Sequence, residues 1–443
     1  MSTLQIAEKV LHWVTQQNAE ADLVMQTSQS LTLKALDGRL DEHSVNSSFI
    51  VGLRVVSDGQ VGMASSEAVD DESLKFMVDQ ALINARFQAP QQHERIPQIL
   101  GQERAEEPSL QPEDDTDIDA KINFIVGIEQ ALLAREGIRN VPYNALSDVT
   151  YAQALFNSHG RHTEQQARRI MAYAYPLAEE NGQTAMAPGM MAGRHFHELN
   201  AERIITTAYD DSRALLAGGP IQSGQYDVIF APNAQAELLG AFSLMWSGKA
   251  AMDQVNPMRD KLGQTVFDRR LNFVDQPRNT SGLGYEAFDA EGFSTAPVTL
   301  VEHGVLKTLA HNSATAAYFD VANTAHAQRG AKAALSVGLH QLHLLAGDAS
   351  PDQLHEGCVF EVTQLDGLHS GTKPISGDFS CGASGYLWRN GERVQSVRGV
   401  TVAGNLYQMF NRVVNVGNQM LWNDSRSSCM AAIRFADLSV TGQ

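Results

Sequence analysis

Cysteine is scarce in this 443-residue chain: Cys358, Cys381 and Cys429 are the only three. They are too few and too widely spaced for a disulfide framework, and no C-x-x-C occurs, which suits a reducing compartment. Positive charge is also in short supply. Lys+Arg number 33 against Asp+Glu 51, a net charge of −18, and no basic run occurs. A nucleic-acid surface needs clustered cations, so no nucleic-acid partner is expected. No apolar run reaches the roughly 18 residues of a membrane span, so no membrane is expected either. The first residues, MSTLQIAEKVLHWVTQQ, lack the basic start and apolar centre of a secretory signal. The cytoplasm is the expected compartment.

The motifs of common chemistries are missing too. A zinc-peptidase helix needs two histidines on one face and a glutamate that activates water. The His-Glu pairs are His93-Glu94, His197-Glu198 and His355-Glu356, and none has a second histidine four or five residues on. No G-x-S-x-G elbow, no phosphate-binding G-x-x-x-x-G-K-[ST] and no G-x-G-x-x-G opening a helix after a strand occurs. His195 and His197 can share one face of a strand, where a polar face is the simpler reading, and His340 and His343 make a similar pair. The acidic run Glu113 to Asp119 reads as a solvated helix start, not a metal site.

What is present is a globular α+β pattern, with 43% hydrophobic and 19% charged residues. A helix over Leu4–Gln17 precedes four strand-like runs: Leu31–Leu36, Arg39–Val45, Phe49–Val56 and Gln60–Ser66. Asp37-Gly38 and Asp58-Gly59 supply two-residue turns, which predicts an antiparallel meander. A helix capped by Asp70 or Asp71 follows. Gly218-Gly219-Pro220 breaks the chain, giving an N-terminal α+β domain over 1–217. The second domain, 218–443, is predicted to be largely antiparallel, β-rich and barrel-like, with short helices. Its densest stretch is Ser376–Gly417, with an Asn390-Gly391 hairpin. There Gly377, Asp378, Phe379, Ser380, Gly404 and Asn405 can line a substrate cleft or simply shape a tight sheet. Ser380-Cys381 beside Asp378 is the best local nucleophile candidate, so a stand-alone hydrolase using Asp378 and Cys381 is one reading. A thiol needs a nearby base to react, and a buried structural cysteine is the plainer alternative.

Several segments resemble the TldD/PmbA family. They are GLRVVSDGQVGMASS (52–66), FDAEGFSTAPVTLVEHGVLKTLAHN (288–312), GDFSCGASGYLWRNGERVQSVRGVTVAGNL (377–406) and VVNVGN (413–418). The last two are similar to the family's PmbA branch, also called TldE. The resemblance implies a two-subunit zinc peptidase of the cytoplasm that acts on unfolded peptides. In its TldD subunit, His-Glu-x-x-x-His stands on the first helix of the C-terminal domain, and a cysteine ligand lies near the C-terminus. The matching helix here, AELLGAFSLMWSGKA (236–250), with Leu238, Leu239, Phe242, Met245 and Trp246 on an apolar stripe, puts Gly240, Ala241 and Met245 at the His, Glu and His positions. Cys429 falls near the cysteine position, as a remnant. The resemblance therefore implies a non-catalytic chain with no zinc of its own, zinc in a TldD-like partner, and an unfolded peptide as substrate. A homodimer of the isolated chain is the other assembly expected. The family's former description as a modulator of DNA gyrase suggests a regulatory role, which the charge of −18 opposes.

Overall fold

A computed structural model describes residues 1–443. The first half is built on one eight-stranded sheet. Helix α1 (Thr3–Thr15) is followed by β1 (Glu20–Leu36), β2 (Arg39–Ser57), β3 (Gln60–Ser66) and α2 (Asp71–Arg86). Then come β4 (Gly101–Arg104), α3 (Ile118–Leu133), β5 (Ile138–Asn157), β6 (Arg161–Glu180), β7 (Gln183–Met186), β8 (Gly189–Gly193) and α4 (Ala201–Ala217). The main order is β3-β2-β1-β5-β6-β4. Asp37 and Gly38, at φ 54° and 73°, and Asp58 and Gly59, at 50° and 76°, form the left-handed turns that match strand twist. The short runs at 39–45 and 49–56 are one strand, and 31–36 is only the end of β1.

One sheet carries two cores. The β1–β5 pairing runs from Asp22↔Asn157 to Leu33↔Leu146. At the Asp22 end, α1 and α2 bury Ile6, Val10, Leu74 and Val78 against Leu23 and Leu53. At the Leu33 end, Ile125 and Ile128 of α3 and Ile204 of α4 pack on Leu146 and Ile170. Each helix pair covers the apolar stripe that one portion of a long strand presents.

Two expectations fail here. His195 and His197 are not on a strand. His195 caps a 3-10 turn over Phe196–Glu198, because Glu198 accepts hydrogen bonds from the Arg194 and His195 backbone. The acidic run is not wholly solvated. The Asp114 side chain is fully buried and pairs with Arg168, with Lys121 at 3.3 Å. The other acids of the run include Asp117, which caps α3 as expected of a helix start.

The second half contains β9 (Gly224–Phe230), α5 (Pro232–Ala241), α6 (Gly248–Met252), β10 (Phe273–Asp275), β11 (Val298–Glu302), β12 (Val305–Leu306), α7 (Ser313–Phe319), β13 (Ala327–Gln328), β14 (Ser336–Val337) and β15 (Leu342–Leu344). It continues with α8 (Pro351–Leu354), β16 (Cys358–Asp366), α9 (Leu368–Gly371), β17 (Thr372–Lys373), β18 (Asp378–Arg389), β19 (Glu392–Asn405), α10 (Leu406–Met409), β20 (Val413–Trp422) and β21 (Cys429–Thr441). Strand β9 pairs with both β16 and β21, so β9, β16, β18, β19 and β21 close into a ring of pairings. The other strands of this eleven-stranded sheet branch from that ring. Closure removes the exposed edges of those five strands. A cluster of 40 buried residues, with Trp246, Phe267, Phe273 and Phe410 among the bulkiest, forms its core. No helix of the structure is long and apolar enough to cross a membrane.

The two sheets meet across buried polar contacts. Arg54 donates from Nε to Asp22 Oδ2 at 3.0 Å and lies within 3.9 Å of Glu291. Arg329 reaches Asp22 at 2.6 Å. Gly52 permits this approach, since a Cβ there would meet the Ala331 carbonyl oxygen at 2.1 Å.

Candidate functional site

A cleft of about 640 Å³ opens in the second half between α5, α6 and the β14 segment. Pro232 starts α5 at a position where the missing N–H costs nothing. The helix stops at Ala241, and the chain continues as a 3-10 turn over Ser243–Trp246 and then α6. The segment 236–250 is therefore not one helix, contrary to its apolar spacing. Phe242, Met245 and Trp246 are all buried, and following the core bends the chain twice. Ala251 is buried as well, while Ser247 caps α6.

This break decides the fate of the three positions matched to the family's zinc helix. Gly240 lines the cleft, Ala241 is only half-buried and packs on the core, and Met245 is fully buried within it. Two ligands would need to stand one helical turn apart on a shared face. Here the third position lies beyond the helix end and points into the core. Cys429 begins β21, buried, opposite Trp422 on one side and His343 on the other. Burial pushes its thiol pKa up, which disfavours the thiolate a metal needs. Its neighbours Ser427, Ser428 and Met430 line the cleft. Helix α5 is fixed to this segment by Gln235, which donates to the Ala431 carbonyl at 3.0 Å, and by Asn233, which bonds to Asp424.

The opposite wall carries Ser336, Val337, Gly338 and Leu339 with His340. Strand β14 pairs only with β13, a two-residue partner. A short, singly paired strand beside an elongated cleft can accept an extended backbone. Lys249 and Asp253 stand at the rim and pair with each other at 2.5 Å.

The six residues read as substrate-lining lie together, but none lines this cleft. Asp378 pairs with Asn405, Phe379 with Gly404 and Ser380 with Ala403 in the β18–β19 ladder. Gly404 and Asn405 line a separate hollow of about 260 Å³. Phe379 is buried, and Gly377 sits at φ 90° in the turn before β18. Asp378 accepts hydrogen bonds from Asn405 and Ser376, which lower its pKa. Cys381 is 2% exposed and burial raises its thiol pKa. Residues three apart on a strand face opposite sides, so Asp378 and Cys381 cannot act on one substrate atom. That removes the hydrolase built on the pair.

Sequence reasoning missed a cluster beside the cleft: Asp275, His326 and His340 place ligand-type atoms within 4.8 Å of one another. His340 and His343 do not share a strand face. His340 lies in the loop before β15, and His343 is buried on β15 against Trp422. No signal could have joined residues 275, 326 and 340, because loops of irregular length bring them together.

Three profiles of the PmbA/TldA metallopeptidase family match the chain: domain 1 over residues 21–85, the central domain over 111–216 and the C-terminal domain over 223–442. The first two share the single N-terminal sheet. The chain is 24% identical to metalloprotease PmbA of Escherichia coli O157:H7 over 430 residues, covering 96% of this chain and 92% of the other. A metalloprotease of Methanocaldococcus jannaschii is also 24% identical, with 89% and 88% covered. The crystal structure of TldE from Thermococcus kodakarensis has the same fold, with a TM-score of 0.85 at 19% identity, covering 99% of this chain and 100% of the other. That of a proposed modulator of a DNA gyrase from Thermotoga maritima has a TM-score of 0.87 at 23% identity, with 99% and 100% covered.

Proposed function

Because the chain belongs to the PmbA/TldD metallopeptidase family, we propose that it is the non-catalytic, TldE-like subunit of a two-subunit cytoplasmic peptidase. A TldD-like partner holds the zinc and cleaves the peptide bond. This chain completes the chamber and helps hold an unfolded peptide in extended form.

The observation that carries this reading is the replacement of a zinc helix by Gly240, Ala241 and a buried Met245 on a broken segment. Glycine and alanine offer no ligand atom, and a lone thioether is a poor zinc ligand. The cleft supports the second half of the reading. A singly paired strand along one wall suits backbone hydrogen bonding, which tolerates many peptide sequences. The cleft's one Lys–Asp pair is mutually neutralised, so it selects no charged side chain.

The test is cleavage of an unfolded peptide by the purified chain, alone and mixed with a TldD-like subunit. Activity is expected only in the mixture. Grafting His, Glu and His at Gly240, Ala241 and Met245 is expected to give no activity, because the third graft points into the core. Active grafts would show that the segment can present ligands on one face.

A further inference from the structure

We propose that Asp275, His326 and His340 form a binding site for one divalent transition-metal ion, separate from the segment 236–250. The site sits behind the wall of the main cleft, which His340 also lines. Nothing in the proposed peptidase role requires it.

His326 Nδ1 lies 2.7 Å from the Thr324 carbonyl oxygen and 2.9 Å from the Thr324 hydroxyl. That hydroxyl accepts from the His311 N–H at 2.7 Å and donates to the His311 carbonyl at 3.2 Å. With its own proton so used, it cannot donate to His326. Nδ1 of His326 therefore carries a hydrogen, and Nε2 is the nitrogen turned towards Asp275. His326 Nε2 lies 3.1 Å from Asp275 Oδ2, and both side chains are sealed from solvent, 1% and 0% exposed. A buried carboxylate facing an imidazole nitrogen needs positive charge at that point, supplied by a ring proton or by a metal ion, and the third ligand-type residue favours the metal.

His340 is arranged in the same way. Its Nε2 lies 3.0 Å from the Ala325 carbonyl oxygen, so Nε2 is the donor and Nδ1 is the free nitrogen. The two rings lie 5.0 Å apart, centre to centre. Asp275 Oδ1 accepts from the Gln341 N–H at 2.8 Å and the His340 N–H at 3.1 Å, and Oδ2 shares the His340 N–H at 3.3 Å. Thus each imidazole is oriented by a backbone carbonyl and the carboxylate by backbone amides. That is the outer-shell pattern that fixes metal ligands. Two imidazoles and one carboxylate suit zinc, iron(II), cobalt(II) or nickel(II) better than calcium or magnesium. His340 at the cleft wall gives an entry path. The ligands come from β10, the loop after α7 and the loop before β15, so a bound ion would clamp the inner wall of the cleft.

The experiment uses the full chain, stripped with chelator, loaded with zinc chloride, desalted and analysed for metal. About one equivalent is expected, with a rise in melting temperature on loading. Asp275→Asn, His326→Gln and His340→Asn are each expected to weaken binding by more than the about 10–100-fold that outer-shell partners contribute. Cys429→Ser is expected to leave it unchanged. Cobalt(II) loading should give visible bands of a nitrogen–oxygen ligand set without sulfur charge transfer, a readout that does not depend on any variant folding. The proposal is overturned if the wild-type chain retains no zinc, the outcome expected of a bare imidazolium–carboxylate pair. It is equally overturned if the three variants bind as wild type, or if sulfur bands appear and Cys429→Ser abolishes binding. None of these results depends on peptide cleavage, so the subunit reading stands or falls separately.

Discussion

Replacing Arg54 by methionine should loosen the join between the two sheets, and the structure sets the scale. The guanidinium is 1% exposed and serves three carboxylates: Asp22 at 2.5 Å, Glu94 at 3.2 Å and Glu291 at 3.9 Å. Methionine fills most of the space but leaves three acids with less compensation. Removing one partner of a buried ion pair costs about 3–5 kcal/mol, mostly because the remaining charge stays buried. For a chain of 443 residues that unfolds as one unit, about 1 kcal/mol corresponds to roughly 1 °C, so the melting temperature should fall by about 3–5 °C. The pH dependence follows. Burial pushes the Asp22 pKa up, but Arg329 and Arg54 pull it below its ordinary value. Its contribution is therefore present above the unfolded pKa and lost as pH falls through the folded one. Glu291 is pushed up by burial, with Arg54 opposing, so without Arg54 it rises further. The variant's deficit should be largest near neutral pH and shrink towards pH 4. Thermal unfolding at several pH values, with the Asp22→Asn background as a double-mutant cycle, reads this directly. A loss under 1 °C, or strict additivity with Asp22→Asn, would refute the reasoning.

Four further outcomes are expected. Gly52→Ala should destabilise by about 2 kcal/mol or more, because its Cβ meets the Ala331 backbone oxygen at 2.1 Å, and chemical denaturation measures this. A thiol reagent should find one fast cysteine in the native chain, the exposed Cys358, and three after unfolding. Glu286 has its pKa raised to about 7 by burial, so its contribution is present below the unfolded pKa and lost as pH rises through 7; Glu286→Gln should flatten the fall in stability between pH 5 and 8. Asp114→Asn should destabilise the central region, since it leaves buried Arg168 and Lys121 with Asp148 as their one remaining carboxylate, and the loss should be visible by hydrogen exchange in α3.

Local chemistry was legible in the sequence. Asp-Gly and Asn-Gly turns marked hairpins because those residues tolerate left-handed backbone, and the structure has Asn390 and Gly391 at φ 51° and 85°. Asp70 caps α2 by accepting from the Ser73 N–H. The length of β1 and β5 was not legible, since polar stretches such as Thr27–Ser30 are held by pairing on both sides, not by their own pattern. The sequence spacing of 236–250 suggested one helix because Leu238, Leu239, Phe242, Met245 and Trp246 recur at helical intervals. The core takes those side chains at two bends instead. Asp114 looked solvated because its partner Arg168 lies 54 residues away. The Asp275–His326–His340 group was invisible for the same reason.

On the proposed subunit role, this chain should not cleave a peptide bond by itself. The direct measurement is turnover of an unfolded peptide by the purified chain, zinc-loaded, with and without an added TldD-like subunit. No turnover is expected from the chain alone and turnover from the mixture; robust, chelator-sensitive cleavage by the chain alone would show that it carries a catalytic centre of its own.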